Sequence, residues 1–158
     1  MKSQMRSMRM AAIMGILLVP AFLQAADNPL FGTWRLNLEK SEFYPGPAPQ
    51  YHNNIYSQNG ANGLKYTSNR ANAQGEASRI EFTAAFDGKD YSMTGDDRGS
   101  IAISRISERA FLARYKTGGK VTQIKAWIVS DDGKTLTILS TGALNGEPFN
   151  NIAVFDQQ

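Results

Sequence analysis

The chain has 158 residues, with 17 Lys and Arg against 14 Asp and Glu, one His and no Cys. That excludes disulfides and thiolate chemistry, and a single histidine without cysteine argues against a structural zinc site. The formal charge of +3 is no argument for nucleic-acid binding, because Lys2, Arg6 and Arg9 all lie in a segment that reads as removable.

Behind those three positive residues, Met10 to Leu23 is an apolar run of signal-peptide length, short for a membrane span. Leu23-Gln24-Ala25 supplies a small residue for cleavage near Ala25-Ala26. Residues 1–25 are therefore expected to be a Sec-type signal peptide, and 26–158 a single β-barrel domain, periplasmic or secreted. No Cys follows the run, which excludes a lipid anchor, so no membrane anchor is expected after cleavage. Residues 26–158 lose three basic and no acidic residues and are formally neutral.

From residue 33 onward the pattern is strands and turns. Residues 33–38 (TWRLNL) alternate, with Trp34, Leu36 and Leu38 on one face. Residues 38–43 allow a single helical turn. Three prolines at alternate positions in 43–49 (FYPGPAP) favour an extended strap across one end of a barrel. Residues 53–59 and 63–69 are weaker strands joined by a glycine- and asparagine-rich turn. Residues 78–86 place Ile80, Phe82, Ala84 and Phe86 on one face, and Asp87-Gly88 then signals a tight hairpin. Further strands are expected at 91–94, 100–107 and 110–116, the last ending at Gly118-Gly119. The final three are 120–130, ending at Asp131-Asp132-Gly133, then 134–141 and 148–155.

Short loops join antiparallel neighbours, because parallel pairing needs long crossovers. A sequential meander of 8–10 strands must close or leave two long edges, and closure removes the edges. The expected fold is all-β, an antiparallel up-and-down meander closing into a barrel. A two-sheet β-sandwich is the alternative.

The segments GTWRLN (32–37), KSEFYPGPAP (40–49), FDGKDYSMTG (86–95), VSDDGKTLTI (129–138) and GEPFNNIAVFDQQ (146–158) together carry a resemblance. They resemble a family of small exported, mostly uncharacterised bacterial lipocalin-like proteins. The resemblance covers nearly all of 29–158 and implies an exported single-domain barrel with no assigned reaction. At Gly32-x-Trp34 it extends to the wider lipocalin group, where the tryptophan closes one end under a late-strand cation, here Arg114, Lys125 or Arg105. Gly32 and Trp34 are accordingly read as structural, with ligand stacking the other reading of Trp34.

The candidate ligand contacts are Tyr66, Phe82, Phe86, Tyr91, Met93 and Tyr115, chosen by alternation. Residues 120–130 leave two choices. Val121, Gln123, Lys125, Trp127 and Val129 share one face, and Thr122, Ile124, Ala126 and Ile128 the other. If the smaller face is core, Lys125 and Trp127 point outward. If the interior is wet, they line it. His52, the sole histidine, is a weak acid–base candidate beside a carboxylate such as Glu81, though a surface histidine at a strand start is the plainer reading. Asp96-Asp97 and Asp131-Asp132 read as turn residues, and neither a metal site nor a cofactor is expected.

The favoured function is binding of a small, partly apolar molecule. A small barrel enzyme (lyase, isomerase or hydrolase) using Tyr, Glu and His groups is the second reading. An envelope interaction module without a cavity is the third, and exposed aromatic patches would mark it.

Overall fold

The computed structural model describes residues 28–96, 99–144 and 146–158; the expected signal segment and Asp97 lie outside the described residues. Ten strands follow one another: β1 (Gly32–Tyr44), β2 (Tyr51–Asn59), β3 (Gly63–Ala71), β4 (Ala77–Ala85), β5 (Asp87–Thr94), β6 (Ser100–Arg105), β7 (Ala110–Thr117), β8 (Lys120–Val129), β9 (Thr135–Leu144) and β10 (Glu147–Gln157). Each pairs antiparallel with its sequence neighbours, and β1 pairs with β10, so the sheet closes. The barrel expected from the alternation is the observed fold, and the sandwich is not.

The strands exist because two-residue periodicity puts an apolar side chain inward at every second position. On β7, Phe111, Ala113 and Tyr115 are buried while Leu112, Arg114 and Lys116 face out. Ile80, Phe82 and Ala84 do the same on β4. Gly118 and Gly119, at φ 55° and 78°, form the two-residue turn from β7 to β8. Two consecutive positive φ angles are cheap only for glycine, and their hand matches the strand twist. Gly118→Ala is expected to cost about 1–2 kcal/mol, read as a lower urea midpoint with unchanged slope.

Three local readings change. Residues 38–41 form no helical turn; they are a bulge between the Asn37 and Glu42 registers. The Ser41 hydroxyl donates to the Asn37 carbonyl at 2.6 Å and accepts from Val154 N–H at 2.9 Å, replacing ladder bonds. Phe43 and Tyr44 belong to β1, so the non-strand segment starts at Pro45. Asp87-Gly88 is not a tight hairpin: the bend falls at Phe86, and the pair opens β5.

Two seams interrupt the wall. Strand β4 pairs with β5 only at Glu81–Thr94 and Phe82–Met93. Strand β1 pairs with β2 only from Gly32–Tyr56 to Arg35–Asn53, so Tyr51 and His52 lie beyond that ladder. The proline segment joins the parted ends there, and Gln50 N–H fastens it to the Ala71 carbonyl at 3.0 Å.

Candidate functional site

Trp34, near the start of β1, points into the interior. Its indole is fully buried and donates from Nε1 to the Leu30 carbonyl at 2.9 Å. Gly32, at φ 143°, lies against Gln157 on the last strand. Of the cations considered for covering Trp34, Arg105 lies over the Phe111 ring at 5.5 Å and Lys125 over the Tyr115 ring at 4.6 Å.

Farther along, the interior is aromatic and unexpectedly polar. Strand β2 points Asn54 and Tyr56 inward, and both are buried. Strand β8 buries Gln123, Trp127 and Val129, so its mixed face is the inner one. Tyr66 on β3 is the hub. Its ring stacks on Phe82 at 4.6 Å, lies 4.9 Å from Tyr56, and runs nearly parallel to Trp127 at 6.5 Å. Tyr56 also meets Trp127 edge-on at 5.4 Å. The Tyr66 hydroxyl donates to Asn54 Oδ1 at 2.7 Å.

Three buried polar atoms in this cluster have no hydrogen-bond partner: Asn54 Nδ2, the Tyr56 hydroxyl and Trp127 Nε1. Burying such a group unpaired costs about 1–3 kcal/mol each, so their meeting around one ring needs a reason. Burial pushes the Tyr56 phenol well above its ordinary pKa. It therefore keeps its proton at neutral pH and can donate. Tyr56→Phe is expected to raise the stability of the ligand-free barrel by about 1–2 kcal/mol, measured by urea denaturation.

The acid–base candidates are not brought together. His52 turns inward, hydrogen-bonded through Nε2 to Ser68 Oγ at 2.8 Å and edge-on to Phe155 at 5.3 Å. Burial, with help from Lys125 and Arg70, lowers its pKa to about 3, so the ring is neutral and a weak base at neutral pH. Glu81 stands on the outer face, where Arg79 Nη2 donates to it at 2.7 Å and Thr67 at 3.2 Å. Arg79 and its hydrogen bond hold that carboxyl below its ordinary value. Asp132 is a turn residue, accepting from Ser130 Oγ and Lys134 N–H. Among the described residues no group of His, Asp and Glu could hold a metal ion.

Of the alternation-based contacts, Tyr66, Phe82, Met93 and Tyr115 are buried in the interior. Phe86 and Tyr91 pack against the core from the β4–β5 region, with the Tyr91 hydroxyl donating to Asp87 at 3.1 Å. Asn54 and Tyr56 were not among those contacts; the only signal for them was their alternation with Ile55. A separate outer groove of about 650 Å³ lies on β8, β9, β10 and the end of β1, floored by Ile124, Ala126, Leu139 and Ile152.

Neither a family model nor a curated protein matches the chain. Among solved structures, it is similar to a crystal structure of the wild-type fluorescent protein UnaG, at 11% sequence identity and a TM-score of 0.55. The match covers 82% of this chain and 97% of that one. At that identity the likeness concerns the fold, and it brings the closed β-barrel of this chain alongside a barrel of the same overall path.

Proposed function

We propose that this chain is an exported barrel that binds a small, partly apolar molecule in its interior. The observation that carries the reading is the cluster of Asn54 Nδ2, Tyr56 hydroxyl and Trp127 Nε1, buried and unpartnered around Tyr66. A ligand that accepts hydrogen bonds from them would offset their desolvation, and the rings of Tyr66, Phe82 and Tyr115 would cover its apolar body. The similarity in fold to UnaG is compatible with this use of a barrel. Export rests on Lys2, Arg6, Arg9 and the apolar run from Met10 to Leu23, and the lipocalin-like resemblance points the same way.

The acid–base reading is weaker, because His52 faces inward and Glu81 outward. The interaction-module reading wanted exposed aromatic patches, whereas the rings of Tyr56, Tyr66, Phe82, Tyr115 and Trp127 are buried. Native mass spectrometry on protein purified from its source compartment tests the proposal. A retained small molecule, lost on denaturation, is the expected result. A mass equal to the bare processed chain, with no molecule recovered from the denatured protein, would count against it.

A further inference from the structure

Resting on the interior-binding reading above, we infer that the barrel selects a ligand with an anionic oxygen group, received by Trp127 Nε1, Asn54 Nδ2 and the Tyr56 hydroxyl. The chemistry of the three atoms sets the polarity. An indole N–H can only donate, and so can an amide nitrogen; a phenol can do either. The acceptor end of Asn54 is already taken by the Tyr66 hydroxyl at 2.7 Å. That contact fixes the amide orientation and leaves its nitrogen as the outgoing group. What meets this set must therefore bring lone pairs, and several of them: a carboxylate, sulfonate or enolate oxygen fits, an ammonium does not.

The surrounding charge has the same sign. Among the described residues the buried polar side chains are Asn54, Thr67, Ser68 and Gln123, with no carboxylate among them. Lys125 sits on the inner-facing side of β8, its ammonium 4.6 Å from the Tyr115 ring centre. Lys125 and Arg70 are also the two cations that act on His52. Both cations disfavour a cationic ligand beside them and favour an anion. His52, neutral there, adds no competing charge.

The test compares two fluorescent probes of nearly the same ring system: anilinonaphthalene sulfonate, which is anionic, and phenylnaphthylamine, which is neutral. Wild-type protein is expected to bind the sulfonate at least about tenfold more tightly, the size of one charge-assisted hydrogen bond. Tyr56→Phe and Lys125→Met are each expected to remove most of that preference, and cooperative urea unfolding of each variant shows that it folds. Leu139→Ser, in the outer groove, is expected to change neither affinity. Equal affinity of the wild type for both probes would overturn the anion selectivity and leave interior binding standing. Binding of neither probe, or loss of both on Leu139→Ser, would overturn interior binding itself and the selectivity with it.

Discussion

Replacing Trp34 by alanine is expected to cost about 3–5 kcal/mol of folding free energy. The indole is fully buried beside Leu30. Its Nε1–H reaches the Leu30 carbonyl at 2.9 Å, and the Leu30 N–H is in turn held by Asn28 Oδ1 at 3.1 Å. Next to it, Gln158 N–H donates to the Thr33 carbonyl at 3.0 Å, tying the last residue to the first strand. Alanine would leave a cavity and an unpaired buried carbonyl at once, so the transfer, cavity and desolvation costs add. Trp34→Phe fills most of the space but not the hydrogen bond, and is expected to lose only about 1–3 kcal/mol. Urea unfolding of the two variants gives both numbers. If the tryptophan serves as a plug, Trp34→Phe also leaves probe affinity unchanged; a parallel drop in affinity would mean that its ring touches the ligand.

Acidification is expected to destabilise the barrel well above the range where carboxylates titrate, through His52. The unfolded chain has the ordinary histidine pKa of 6.5, and the barrel lowers it to about 3, chiefly by burial. The unfolded state therefore takes up a proton first as pH falls. The stability that the neutral ring contributes is complete above 6.5 and is lost on the way down to about 3. A displacement of that size corresponds to about 4–5 kcal/mol, of which about 2–3 kcal/mol falls above the carboxylate range. Asp156, Asp132, Asp87 and Glu81 are all held low by their hydrogen bonds, so they contribute in the same direction. Their unfolded values of 3.8 and 4.5 confine that contribution to lower pH. Urea unfolding free energies of wild type and His52→Gln, compared between 6.5 and 4.5, isolate the histidine. The wild type is expected to fall the more steeply. Equal slopes would mean that the imidazole is solvated in the native barrel.

Much of the architecture was legible because most strands have two unlike faces. Phe82 on β4 and Tyr115 on β7 alternate with Glu81 and Arg114, so period and turn signals place them inward together. The polar cluster was not legible for the same physical reason in reverse. On β2 the one aliphatic residue, Ile55, faces out and is 39% exposed, while Asn54 beside it is fully buried. A rule that sends apolar residues inward picks the wrong face there, and only the register with β3, Asn54 opposite Ser68 and Tyr56 opposite Tyr66, fixes it. On β8 the two faces differ too little in polarity, and Trp127 goes inward because Ile138 and Phe111 flank it across the ladders. The Asp87-Gly88 signal misled because β4 and β5 splay apart, so the chain does not need a tight turn there. Interior polarity and seams are properties of the closed sheet and have no local sequence period.

Entry of a small molecule into the interior around Tyr56 and Trp127 can be read from the indole N–H resonances in a nitrogen–proton correlation spectrum. The chain has two tryptophans, which give two such signals. Trp34 Nε1 is already bonded to Leu30, and Trp127 Nε1 has no partner. Titration with anilinonaphthalene sulfonate is expected to shift the Trp127 signal downfield as it gains an acceptor, with the Trp34 signal nearly still. A Trp127 signal that does not move while the probe binds would place the ligand elsewhere and rule out interior binding at this cluster.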